Sequence, residues 1–168
     1  RPLFSGDDNV CTTWSVNEKA GLWMTAAHCV LHEADMDGFE GMLVINENLS
    51  IAKQHATVIQ VDSSVDLAML QADVHEPGLT LGKYPHVGDE VTVYGFPGGW
   101  QAPIATWLRV SNAFLKVGED NGRSWMVLDG SVFPGHSGSP VIDRKGRVIA
   151  VLQAHGTGRY TGLSYASP

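Results

Sequence analysis

The sequence predicts an all-β protein, and three observations carry that prediction. Apolar runs are short and end at turn residues; the 168 residues include 19 glycines and 8 prolines. Those runs are rich in Val, Ile, Thr and aromatic residues, which suit a pleated, half-buried surface. No helical period extends beyond a turn or two. Many short strands separated by regular turns point to a barrel or a sandwich.

Each strand follows from its local pattern. Cys11–Val16 is β-branched and aromatic, and Leu22–Ala26 begins just after Gly21. Gly41–Asn46 is an apolar run closed by asparagine, and Thr57–Val61 is dominated by branched residues. Leu67–Gln71 starts where Asp66 ends a polar stretch. Glu90–Phe96 alternates after a Gly88-Asp89 turn, and Ile104–Asn112 follows Pro103. Ser124–Leu128, Pro140–Ile142, Val148–Gln153 and Thr161–Ala166 complete the set. The longest helix candidate lies around Val30–Asp35. Trp14, Trp23, Trp107 and Trp125 fall in strands and are expected in the core, whereas Trp100 sits in a glycine loop where it can line a cleft. Pro77–Val87, with two prolines and two glycines, is the expected joint between strand-rich halves of similar size. Neither half is large enough to be comfortably stable alone, so the two should pack together and leave a cleft. The expected organisation is one domain, 1–168, with an N-terminal half over about 1–82 and a C-terminal half over about 83–168.

Composition narrows the function classes. Apolar residues make up 43% of the chain, too many for a disordered protein. The net charge of −7 and the lack of any Lys/Arg run argue against a nucleic-acid partner. No apolar stretch approaches the about 18 residues that span a bilayer. No leader pattern opens at Arg1. Two cysteines, Cys11 and Cys29, either form one disulfide or stay reduced.

Two separated segments carry chemistry. Gly135-His136-Ser137-Gly138-Ser139-Pro140 places a serine between glycines in a short turn, a shape that lifts a hydroxyl into a cleft. A serine hydroxyl is a poor nucleophile until a base takes its proton. Histidine suits that task, and Thr25-Ala26-Ala27-His28-Cys29 supplies one. An acid must then hold the imidazole in the right tautomer. Asp66, opening the apolar run Leu67-Ala68-Met69-Leu70, is the best candidate, with Asp62, Asp35 and Asp37 as nearby rivals. His28 and His32 stand at a spacing that binds zinc on a helix, but His28 already has a role and no third ligand is evident, so no metal or cofactor is expected. His55, His75 and His86 are expected to face solvent. His136 is expected to point outward as a surface side chain.

These three blocks, in the order His28, Asp66, Ser137, resemble the catalytic blocks of chymotrypsin-like serine peptidases. Val87-Gly88-Asp89-Glu90-Val91, Val93-Tyr94-Gly95-Phe96-Pro97-Gly98-Gly99, Gly146-Arg147-Val148-Ile149-Ala150-Val151 and Gly162-Leu163-Ser164-Tyr165-Ala166-Ser167-Pro168 resemble the HtrA/Deg-like branch of that family. The resemblance is to the protease domain of that branch, without its PDZ-like module. The resemblance implies two packed six-stranded antiparallel β-barrels with the active site between them. It implies a serine endopeptidase acting on proteins or peptides through an acyl-enzyme, with catalytic residues His28, Asp66 and Ser137. The N–H groups of Gly135 and Ser137 would form the oxyanion hole. Substrate contacts would come from Ser131, Val132 and Phe133, then Leu152, Gln153, Ala154 and His155, with the substrate backbone adding as a strand along Gln153–His155.

Ser131 stands where trypsin carries its pocket aspartate, which disfavours Arg or Lys and leaves a medium apolar residue as the first expectation, Glu or Gln as the second. His136 stands where trypsin-type zymogens carry their activation aspartate, so that switch is expected to be absent. Cys11 and Cys29 resemble the disulfide beside the catalytic histidine of secreted members. Closing that loop would stabilise by about 3 kcal/mol and fits a secreted or periplasmic setting. Two alternatives remain open: a protease released from a viral polyprotein, and a catalytically silent binding protein on the same fold. Oligomeric state is not legible.

Overall fold

The computed structural model describes residues 1–36, 39–116, 124–156 and 161–168. Among them the regular structure is β-strand with two single 3-10 turns. The first half contains β1 (Pro2–Ser5), β2 (Asp8–Thr12), β3 (Trp14–Asn17), β4 (Leu22–Ala26), β5 (Leu31–Met36), β6 (Phe39–Ile45), β7 (Leu49–Ile51), β8 (Gln54–Asp62) and β9 (Leu67–Ala72). The second contains β10 (Glu90–Gly95), β11 (Ile104–Lys116), β12 (Ser124–Asp129), β13 (Pro140–Ile142), β14 (Val148–His155) and β15 (Leu163–Ser167). No helix of the described residues is long and apolar enough to cross a membrane.

The second half closes into a six-stranded barrel in the order β10-β11-β12-β15-β14-β13, with every named pair antiparallel. The first half is a seven-stranded sheet, β2-β1-β7-β8-β9-β4-β3, with β5 and β6 as a separate hairpin. Its two edge strands, β2 and β3, are separated only by Thr13. One continuous piece of chain therefore supplies both edges, and the sheet must curl round on itself. This is how the strand expected over Cys11–Val16 behaves: it kinks at Thr13 and serves two neighbours, β1 on one side and β4 on the other. The double-barrel architecture follows.

Alternation fills the interiors. Ala68, Leu70 and Ala72 of β9 join Leu3, Trp23, Leu49 and Ile51 in the first core. Val91, Val93, Leu108, Val110, Met126, Leu128 and Leu152 make the second. A third cluster lies between them: Trp14, Val148 and Val151, with Val16, Met24, Leu67 and Leu79 packed on it. After β9 the chain runs without regular structure to Leu81, which forms an isolated bridge with Val148.

Two expectations fail. The segment after His28 is a 3-10 turn, Ala27–Cys29, followed by β5, so no helix covers Val30–Asp35. A short mixed run fits either period, and pairing with β6 (Leu31 opposite Ile45, His32 opposite Val44) selects the strand. The His28/His32 helical spacing dissolves with it. Trp107 is 78% exposed, because Leu108 and Val110 take the inward positions of β11 and a period of two turns Trp107 out. Trp14 and Trp23 are buried as expected.

Cys11 and Cys29 form a disulfide that ties β2 to the 3-10 turn holding His28, across a sequence separation of 18. Replacing both by alanine is expected to lower stability by about 3 kcal/mol. A urea titration checks this: the midpoint should fall, and the slope should rise because the uncrosslinked unfolded chain exposes more surface.

Candidate active site

The first sheet builds half of the site. β4 and β9 are antiparallel neighbours with Ala26 opposite Leu67, so the residues after β4 and before β9 meet at one sheet end. There the Ala27 N–H donates to the Asp66 carbonyl at 3.1 Å. The His28 N–H donates to Asp66 Oδ1 at 2.8 Å, and His28 Nδ1 lies 2.9 Å from Oδ2. A carboxylate can only accept, so Nδ1 carries the proton and Nε2 is left with a free lone pair. Asp66 adopts φ +53°, a left-handed conformation that aspartate tolerates better than most residues. Its side chain is largely buried, whereas that of His28 is half exposed. The rival acid Asp62 is engaged by the backbone and hydroxyl of Ser64. The Asp35 side chain and Asp37 lie outside the described residues.

The second barrel supplies the turn between β12 and β13. Gly138 N–H donates to the Leu152 carbonyl at 2.8 Å, and Leu152 N–H donates to the Ser139 carbonyl at 2.9 Å, which pins the turn to β14. Across the barrel boundary, Thr12 N–H donates to the Ser137 carbonyl at 2.8 Å. Gly138 has φ +83°, and a Cβ there would lie 2.2 Å from Thr25 Oγ1 and 2.3 Å from the Thr12 carbonyl oxygen. Gly135 has φ +96°, and a Cβ there would lie 2.6 Å from the Phe96 carbonyl oxygen. Both glycines are required by backbone angle and by space.

Ser137 Oγ donates to the Gln153 carbonyl at 3.0 Å. Among the described residues no hydrogen bond joins it to His28 Nε2; the hydroxyl rests against β14. The Pro134 carbonyl accepts from Gly98 N–H at 2.9 Å, and the Gly135 carbonyl accepts from Thr12 Oγ1 at 2.9 Å. Among the described residues, neither the Gly135 N–H nor the Ser137 N–H has a partner. Two unengaged backbone donors thus stand beside a serine.

His28, Gly135 and Ser137 line one cleft of about 570 Å³ together with Val132, Phe133, Gln153 and Ala154. Of the expected substrate contacts, Ser131 is exposed and outside that lining; Trp100, expected to line a cleft, is outside it too. Phe133 is 59% exposed at the cleft. The Gln153 amide is buried, and neither of its polar atoms has a partner among the described residues. His155 continues β14, but its side chain lies outside the described residues. Cys11, His28 and Cys29 bring three ligand-type atoms within 4.8 Å of one another, yet the disulfide leaves neither sulfur as a thiolate.

His136 is not a surface side chain; it is 0% exposed. Phe133 N–H donates to its Nδ1 at 3.1 Å, which ties the ring to the loop before the serine. Burial lowers its pKa, so the ring sits neutral. The signal for this was Gly95, a glycine within a strand, where backbone or ring approaches closely. A Cβ at Gly95 would lie 2.4 Å from His136 Cδ2. Thr12 was also missed, since nothing beyond its place next to Cys11 marked it.

The sequence pattern of the trypsin-like peptidase domain matches residues 11–151. A probable periplasmic serine endoprotease DegP-like of Chlamydia pneumoniae is 31% identical over 121 residues, covering 69% of this chain and 25% of that protein. Its namesake in Halomonas elongata is 30% identical over 154 residues, covering 88% of this chain and 30% of that protein. The chain thus spans about a quarter to a third of the length of the curated relatives it matches. Among solved structures, the active form of the Rv3671c protease from M. tuberculosis superposes with TM-score 0.72 at 24% identity, covering 94% of this chain and 67% of that one. An HtrA-type protease, AlgW with decapeptide, gives TM-score 0.76 at 20% identity, covering 96% of this chain and 48% of that one. At those identities the structures speak for the fold, and the family match speaks for descent: this chain belongs to the trypsin-like peptidase domain family.

Proposed function

We propose that the chain is a serine endopeptidase in which Ser137 is the nucleophile, His28 the general base and Asp66 its orienting acid. The observation that carries the reading is the two-point grip of Asp66 on His28, through the backbone N–H at 2.8 Å and Nδ1 at 2.9 Å, in one cleft with Ser137. That grip leaves Nε2 as an acceptor for the serine proton. Oγ attacks the peptide carbonyl carbon as its proton passes to Nε2. The carbonyl oxygen becomes an oxyanion received by the N–H groups of Gly135 and Ser137, neither of which has another partner among the described residues. The imidazolium then protonates the leaving amine and the C–N bond breaks. Water repeats the sequence on the acyl-enzyme.

The resting Ser137–Gln153 bond fits this cycle. A substrate strand added along β14 brings its own N–H to the Gln153 carbonyl and competes for it. The hydroxyl is then free to turn to His28. The domain is one unit over 1–168, its halves meeting near residue 82. A disulfide beside His28 suits an oxidising compartment outside the cytoplasm, in keeping with relatives named as periplasmic.

Val132, Leu152 and Ala154 give the cleft an apolar wall with no acid among them. Incubation with a peptide library and sequencing of the products should therefore show internal cuts after medium apolar residues and few after Arg or Lys. A library left intact contradicts the endopeptidase; cuts concentrated after Arg or Lys contradict the pocket assignment.

A further inference from the structure

Every polar group of Thr12 is committed to the nucleophile turn or to its supports. Its N–H donates to the Ser137 carbonyl at 2.8 Å. Its Oγ1 donates to the Gly135 carbonyl at 2.9 Å and accepts the Phe96 N–H at 2.9 Å. Its own carbonyl accepts Thr25 Oγ1 at 2.8 Å. The residue is 1% exposed. Thr12 belongs to β2 of the first sheet, whereas Phe96, Gly135 and Ser137 belong to the second half, so these bonds cross between the barrels. The directions are forced: a hydroxyl has one proton, and with the Phe96 N–H pointing at the oxygen, that proton is free for the Gly135 carbonyl.

The consequence concerns the Gly135 N–H. A glycine at φ +96° has no side chain to hold its two flanking peptide planes. The plane before it, Pro134–Gly135, contains the N–H, and its carbonyl is held by the Gly98 N–H. The plane after it, Gly135–His136, is held at its carbonyl by Thr12 Oγ1. Phe96, two residues ahead of Gly98, hangs on that same Oγ1. One hydroxyl therefore fixes the second plane directly and the first through the Phe96–Gly98 segment. We propose that Thr12 is a positioning residue for the oxyanion hole: it holds the Gly135 N–H in the orientation that meets the developing negative charge. The proposal rests on the endopeptidase reading above. Thr12 acts through peptide planes and does not touch the substrate. A hydroxyl that merely glued the barrels together would affect stability and leave the chemical step alone.

The test compares Thr12→Val, Thr12→Ala and Thr12→Ser with the parent and with Ser137→Ala, assayed well below each melting temperature. Misaligning one oxyanion donor should lower kcat by about 10- to 100-fold for the valine and alanine variants, with KM within about threefold. Affinity for a peptide aldehyde, whose hemiacetal oxygen occupies the hole, should fall by the same factor as kcat. Affinity for a cleaved product peptide should hold. Serine, which keeps the hydroxyl, should restore kcat to within about threefold. The alanine variant guards against the valine failing to fold. Parent-like kcat in the valine or alanine variant overturns the proposal, as does a serine variant as impaired as valine. Equal losses for aldehyde and product overturn it too. A dead Ser137→Ala beside an unaffected Thr12→Val sinks the Thr12 role alone; an active Ser137→Ala sinks the reading beneath it.

Discussion

Replacing Ser137 with alanine is expected to lower kcat/KM on a cleaved peptide by at least about ten-thousandfold and to leave the fold intact. The size follows from removing the atom that forms the acyl bond. Intactness follows from the contacts. Among the described residues the Ser137 side chain makes one hydrogen bond, to the Gln153 carbonyl, whereas its backbone carbonyl bond to Thr12 and the neighbouring Gly138–Leu152 bond are untouched by the change. Losing one partly exposed hydroxyl bond costs about 1 kcal/mol. Circular dichroism and a thermal melt close to the parent, beside a rate near background, are the expected pair of observations.

Replacing Asp66 with asparagine is expected to cost about ten-thousandfold in kcat, through a tautomer and not through lost structure. Asparagine is as tolerant as aspartate of the φ of +53° found here, so the backbone change is small. The carboxylate accepts twice, from the His28 N–H on Oδ1 and from Nδ1 on Oδ2. An amide offers one acceptor and one donor group. With its oxygen kept on the His28 N–H, its NH2 faces Nδ1, which must then give up its proton. The proton moves to Nε2, and the base can no longer accept from Ser137. Steady-state kinetics check the rate, and the imidazole proton resonances check the cause: the proton seen on Nδ1 in the parent should appear on Nε2 in the variant. A tautomer that stays put while activity falls would mean that Asp66 acts in another way.

Most of the strand pattern could be read because β-strands on a core alternate and end at turn residues. Leu22–Ala26 and Pro140–Ile142 have the bounds their sequence suggests. β1 and β7 escaped because three or four residues cannot establish a period and, unlike Pro140–Ile142 beside the Ser137 turn, neither adjoins a motif that marks it. The kink at Thr13 escaped because a continuous β-branched run gives no hint that the chain changes neighbours midway. His28, Asp66 and Ser137 were singled out by their blocks; β4 and β9 end together, which brings His28 onto Asp66, while Ser137 comes from the other half to line the same cleft as His28. His136 and Thr12 were not legible, since their roles depend on what another segment brings to them. Gly95 clears space for a ring forty-one positions later. Thr12 owes its importance to carbonyls in the opposite barrel.

The central claim is that Ser137 is a nucleophile activated by His28. Its most direct measurement is to treat the native protein with a serine-directed fluorophosphonate, digest it, and locate the adduct by mass spectrometry. One adduct on Ser137 is predicted, abolished in the heat-unfolded protein and strongly slowed in Asp66→Asn. No adduct, or one on another serine such as Ser139, would contradict the account.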